Sequence, residues 1–276
     1  MALKLNLPDE YIRIDGLEIP FYKEFCGTNT EQMPKLIANG RIPMNVAQLM
    51  QRKLDAKNSD LDVKHSYLDN HFYMGDAVVY HPEGDVLIDL DSQRLREITP
   101  EDRLNAGALL LSIDRDEAFA IYEQLKKQSN VIEFKKGKLG KVDKLLLRES
   151  VKSHPVWKVL ARDQGLLNNY ADYIFAEGKQ RFGYDTAMGI FPSSAHRNDA
   201  PEMRAWCVSW LEDRSNAIGW VSLDYDYGRF VGIAPEEAGK YTGADVSRAS
   251  FELGRLESVI NPKAVSNIRS LLMKLQ

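Results

Sequence analysis

The sequence predicts an α+β fold, in which antiparallel strands (hairpins and a C-terminal three-strand meander) pack with several helices. Three observations carry this. Residues 204–234 hold three of the chain's four tryptophans. Within them, apolar runs at 205–211, 217–223 and 229–234 are split by polar turns at 212–216 and 224–228, the sequence form of a meander. An Asp15-Gly16 pair separates two strand-like runs near the start, and Asp-Gly suits a tight hairpin turn because both central residues need positive φ. Finally, helical and strand patterns do not alternate regularly, which argues against a doubly wound parallel sheet.

Taken in order, the first hairpin spans 11–14 and 17–21, and Pro20 limits its second strand because it cannot donate to a ladder. Thr28 followed by Glu31 has capping-box spacing, and Asn39-Gly40 closes that helix. Asn45 and Gln48 write a second start, with Val46, Leu49, Met50 and Leu54 at helical spacing. Runs 77–80 and 86–90 form another hairpin. A helix is expected at 101–111, after Thr99-Pro100, and a further one from Asp114, capped with Glu117. A short strand at 131–134 runs into the basic stretch KKGKLGKVDK. Residues 142–178 are helical in pattern, broken near His154-Pro155. After the meander, Val246, Ala249, Leu253, Leu256 and Ile260 step by three and four. A last helix with Val265, Ile268, Leu272 and Leu275 follows Asn261-Pro262. Residues 1–276 read as one large domain, with a weak subdivision near 127–150, where the composition turns basic and Gly-rich. Trp206, Val208 and Trp210 share one strand face and read as a packing surface for helices. Function near the meander is expected in its turns, at Asp224 and Asp226, or after it at Glu236 and Glu237.

Composition narrows the function classes. The 36 basic and 40 acidic residues leave a net charge of −4, which disfavours a protein dedicated to wrapping nucleic acid. Cys26 and Cys207 lie far apart with no ligand spacing around them, so neither a disulfide framework nor a zinc motif is written. No apolar run reaches the ~18 residues of a membrane span and the N-terminus has no continuous apolar stretch, so a soluble cytoplasmic protein without membrane attachment is expected. No Gly-rich phosphate loop and no Gly-x-Ser-x-Gly turn occurs.

Four constellations offer chemistry. In the first, a strand ends in Cys26-Gly27-Thr28, a short helix follows, and a later strand ends in Tyr80. Over residues 21–91 this order resembles the N-terminal part of the ADP-ribosyltransferase fold. The resemblance implies NAD-dependent ADP-ribosyl transfer, with the Gly27 backbone gripping nicotinamide, Tyr80 contributed by the later strand, and Glu236 or Glu237 orienting a ribose. Cys26 stands where that family has His or Arg. Read from the residues alone, Gly27-Thr28 is a tight strand-to-helix turn with a capping threonine. In the second, Glu133 and Lys135 share a strand face downstream of Asp114 and Asp116, the residue types with which metal-dependent nucleases hold a divalent cation. Asp114 has a sufficient task as a helix cap. The third is Lys135, Lys136, Lys138 and Lys141, suited to nucleic-acid phosphates or simply to a solvated loop. The fourth crowds His71, Asp76, His81, Asp85 and Asp89 around one hairpin, without diagnostic metal spacing, so no metal is assigned. The leading expectation is a binding or interaction protein. No cofactor is specified, and the partner is unnamed, nucleic acid through the basic loop being one option.

Overall fold

A computed structural model describes residues 11–14, 17–193 and 199–234, and statements of count or absence below refer to these. Glu236, Glu237 and both C-terminal helices expected from the sequence lie outside them. Tyr11–Ile14 (β1) and Leu17–Pro20 (β2) pair antiparallel as expected. Tyr22–Cys26 (β3) leads into Asn29–Ala38 (α1), followed by Ile42–Pro43 (β4), Val46–Asp55 (α2) and Leu61–Leu68 (α3). Next come Phe72–Tyr80 (β5), Val86–Asp89 (β6), Gln93–Arg96 (α4), Leu104–Asn105 (β7) and Ala108–Leu110 (β8). Arg115–Leu125 (α5), Val131–Phe134 (β9), Arg148–Ser153 (α6), Pro155–Ala161 (α7) and Gln164–Phe182 (α8) follow. Ile190–Phe191 (β10), Glu202–Val208 (β11), Ala217–Ile218 (β12) and Arg229–Ile233 (β13) complete the described chain.

The main sheet runs β10-β12-β11-β5-β6-β9, with β8 also on β11 and β7 on β8. Its pairs are antiparallel except β10 with β12. The protein is α+β. Strand β5 shows why the sheet is central: it is buried along its whole length, and its side chains alternate between two cores. Phe72, Met74, Val78 and Tyr80 join one core with α2, α3 and α6 to α8. Tyr73, Ala77 and Val79 join the other with α1, α4 and α5.

Local signals explain several elements. Asn45 and Gln48 form the full reciprocal capping box of α2, and Asp114 accepts from the Glu117 amide at 2.8 Å to start α5. Thr28 occupies the cap position of α1 in extended conformation but makes no side-chain cap bond. At 101–111 the expected helix is replaced by the β7–β8 hairpin. Ala106 and Gly107, at φ +46° and +76°, form its turn, which a continuous helix cannot hold. The meander is also rearranged. Strand β12 pairs with β11, but β13 leaves for a second sheet ordered β3-β13-β4. Residues 219–228, which the alternation reads as strand and turn, are a long irregular loop.

One glycine holds a close approach rather than a turn. A Cβ on Gly178, inside α8, would overlap the Tyr184 ring. That ring cannot move away freely, because its hydroxyl donates to the Leu211 carbonyl at 3.0 Å. Gly178→Ala is therefore expected to destabilise the fold by about 1–3 kcal/mol through overpacking, outweighing the roughly 1 kcal/mol that alanine contributes in a helix interior. Urea unfolding checks this, and an unchanged or raised midpoint refutes it.

Candidate functional site

Where β5 begins and β11 ends, a cleft of about 400 Å³ opens on the face of the sheet. Tyr73, Cys207 and Ile218 form its floor, one from each of three adjacent strands, and His71, Trp210, Trp220 and Tyr225 form its walls. Trp210 is 39% exposed, Trp220 55%, Tyr225 50% and the neighbouring Tyr227 73%, an unusual concentration of large aromatic surface facing solvent. The His71 ring lies 5.6 Å from Trp210 and 6.1 Å from Tyr73, and Tyr225 lies 5.5 Å from Tyr227, in tilted or edge-on geometries.

The wall carrying Trp220 and Tyr225 is loop 219–228, and side chains from the scaffold fix its backbone. The Tyr80 hydroxyl donates to the Gly219 carbonyl at 2.9 Å. The Arg204 guanidinium donates to the carbonyls of Trp220 and Val221, at 3.0 and 3.1 Å, and to that of Ala106 at 2.8 Å. The Leu223 side chain is fully buried, and its carbonyl accepts from Asn29. His71 Nε2 donates to the Tyr227 carbonyl at 2.9 Å, and the Gly27 amide donates to that of Gly228 at 2.9 Å. A loop tethered this often is pre-organised, so little conformational entropy remains to be lost when a partner docks.

The electrostatics of the floor are uniform. Burial pushes the Cys207 thiol up to about 12, and Asp213 adds to this. Burial likewise raises the Tyr73 hydroxyl, with Cys207, Tyr225 and Asp224 adding to the effect. Burial lowers His71, which keeps its imidazole neutral at pH 7. The floor thus carries no charge of its own.

The residues singled out from sequence are distributed elsewhere. Cys26 is exposed and donates its thiol to Glu24 at 3.0 Å, and burial raises its pKa to about 11, so the thiolate is disfavoured. Gly27 sits at φ +135°, and Thr28 Oγ1 lies 3.4 Å from Thr30 Oγ1. Tyr80 is buried, with its hydroxyl also accepting from the Ser193 amide at 2.9 Å. Gly27 and Tyr80 thus both tether loop 219–228. Asp114 caps α5 and Asp116 lies in its first turn. Lys135 bridges Glu133 at 2.8 Å and Asp85 at 2.9 Å on the sheet edge at β9, remote in strand order from the cleft. Lys136, Lys138 and Lys141 are exposed on the following loop. His81 packs on Phe119 and Tyr122, Asp76 binds Arg162, and Asp89 accepts from Asn130. Among the described residues no group of three or more His, Cys, Asp or Glu could hold a metal ion, and no helix is long and apolar enough to cross a membrane.

Sequence reasoning missed Trp210 and Trp220 as surface residues. Strand β11 stops at Val208, so Trp206 and Val208 enter the core while Trp210, two residues further on, stands outside. The available signal was the polar Glu-Asp-Arg run directly after Trp210-Leu211.

The site and fold define an α+β protein with an open aromatic cleft on its sheet. The sequence matches no protein-family model and no curated protein. A solved structure described as the accommodation of massive sequence variation in Nanoarchaeota by the C-type lectin fold is similar to this chain. The TM-score is 0.56 at 21% identity, over 77% of this chain and 97% of that one. The likeness assigns the fold of this chain as that of the C-type lectins.

Proposed function

We propose that the chain is a binding protein and that the aromatic cleft between Trp210 and Trp220 receives its partner. The observation that carries this reading is the exposure of three large aromatic side chains, Trp210, Trp220 and Tyr225, around one pre-organised hollow, with exposed Tyr227 beside Tyr225. Exposed Trp and Tyr offer large rigid contact area at low entropic cost, the property that makes them frequent energetic centres of interfaces. The similar structure supports the reading from another side. Its fold is described as accommodating massive sequence variation, and in this chain the cleft walls stand outside the two packed cores.

The test is an unbiased selection of random dodecapeptides on the full chain, with selected peptides re-measured against Trp210→Ala/Trp220→Ala. The double variant is expected to lose at least tenfold in affinity, about 1.4 kcal/mol. Its melting temperature should stay within a few degrees, since neither ring belongs to the two packed cores. Selected peptides that bind the variant unchanged, or failure to select any, would refute the reading.

A further inference from the structure

Resting on the cleft reading, we propose that the occupant is a basic segment of a partner protein, which places an arginine or lysine side chain against Trp210, Trp220 and Tyr225. The charge around the cleft points to this. Between Trp210 and Gly228 the chain carries Glu212, Asp213, Asp224 and Asp226 against one base, Arg214. None of the four carboxylates forms an ion pair among the described residues. The neighbouring cations are committed elsewhere. Arg214 lies over the Tyr184 ring at 4.8 Å and donates to Thr186, while Arg229 pairs with Glu24 at 2.5 Å.

Asp213 lines the cleft itself, and Asp224, held by the Ser222 hydroxyl, stands near enough to Tyr73 to raise its pKa. On the other side of Trp220 a second hollow of about 290 Å³ is lined by Glu202 and Arg204, which pair with each other at 3.9 Å, so the excess of acid lies on the side of Asp213 and Asp224. The electron-rich faces of Trp and Tyr attract cations, and surrounding carboxylates add direct ion pairs. An anionic or purely apolar partner would leave those carboxylates desolvated and uncompensated, which is costly. The chain's net charge of −4 is modest for 276 residues, so this local excess is a feature of the segment that walls the cleft rather than of the whole surface.

The selection described above tests the inference through the composition of its peptides, and a defined probe quantifies it. The probe is a fluorescein-labelled peptide with four arginines spaced by glycine, compared by anisotropy with its glutamine and glutamate counterparts. The arginine peptide is expected to bind at least tenfold more tightly than either, and to weaken several-fold between 50 and 300 mM NaCl. Asp213→Asn/Asp224→Asn/Asp226→Asn, which keeps size and hydrogen-bond acceptors, is expected to lose at least tenfold, and so is the double tryptophan variant. Three results overturn the cation inference while the cleft reading stands: selected peptides that need Trp210 and Trp220 but are neutral or acidic, triple-variant binding equal to wild type, or displacement of cleft-bound peptides by a neutral oligosaccharide such as maltoheptaose at unchanged affinity in the triple variant. Arginine-peptide binding indifferent to the tryptophans also overturns it, as non-specific attraction. A selection that yields no tryptophan-dependent peptide removes both.

Discussion

Replacing Arg162 by methionine is expected to cost about 3–5 kcal/mol of folding stability, the range for stranding a buried charge. The Asp76 carboxylate is wholly buried on β5, where it accepts from the Val46 amide at 2.8 Å, the Asp91 amide at 2.9 Å and Arg162 Nη2 at 2.6 Å. Arg162 also pairs with Asp91 at 2.9 Å, and Asp91 accepts from Asn45 Nδ2 at 2.9 Å. One guanidinium therefore joins the corner between α7 and α8 to the central strand, to the start of α2 and to the turn after β6. Methionine keeps the length of the side chain and removes both charge and fork, so Asp76 is left with two backbone donors and no cation.

Arg162 itself sits at φ +60°. Any substitution that retains a Cβ carries the same backbone cost, which makes Arg162→Lys the proper control. Lysine restores the charge without the bidentate geometry and should recover part of the loss. Asp76→Asn in the methionine background should recover part of it by another route, because the uncompensated charge disappears. Urea unfolding of these proteins together with the Asp76→Asn single variant closes the cycle. A methionine variant within 1 kcal/mol of wild type would show that the network is not a structural centre.

This network marks the limit of what the sequence could reveal. In the sequence Asp76 is a titratable residue near a hairpin and one of the acids and histidines crowded there, without diagnostic metal spacing. Its partner lies 86 residues away, and no local pattern links them. The elements read correctly are those with local causes. The Asn45–Gln48 box, the Asp114 cap, the β5–β6 hairpin and the β1–β2 pair each have a signal written within a few residues. Strand β13 was found but misplaced, because its register, Arg229 opposite Cys26, is set by a pairing some 200 residues apart in sequence. The cleft was missed for a related reason. Periodicity reports which side chains share a face but not where a strand ends, and Trp210 and Trp220 lie just past the ends of β11 and β12. The proposed cleft borders the turn with Asp224, one of the positions at which the sequence places function rather than on the aromatic strand face.

Lys53 yields the second large effect, and it depends on pH. Its side chain is 1% exposed, its ammonium has no hydrogen-bond partner among the described residues, and the Tyr170 ring lies 5.9 Å away. Burial lowers its pKa from 10.5 to about 7, against smaller opposing effects of Cys207 and Asp69. A base whose folded pKa is depressed binds fewer protons folded than unfolded between the two values. Stability must therefore rise with pH from about 7 upward, and the full penalty applies below 7. Other groups limit where this can be seen. His71 and His154 have lowered pKa values, so they make stability rise below about 6.5. Cys26 and Cys207, raised to about 11 and about 12, make it fall above about 9, where an unfolded thiol ionises. Between pH 7 and 8.5 Lys53 dominates, and wild-type stability is expected to rise by about 1–2 kcal/mol at up to 1.36 kcal/mol per unit. Lys53→Met, close in shape and uncharged, should be flat across that window. At pH 6 it should be more stable than wild type by about 2–4 kcal/mol, since replacing an uncompensated buried charge with an apolar side chain is stabilising. Denaturant midpoints at pH 6, 7, 8 and 8.5 decide the matter. A methionine variant less stable than wild type at pH 6, or one that keeps the slope, would mean that the Lys53 ammonium is solvated or paired.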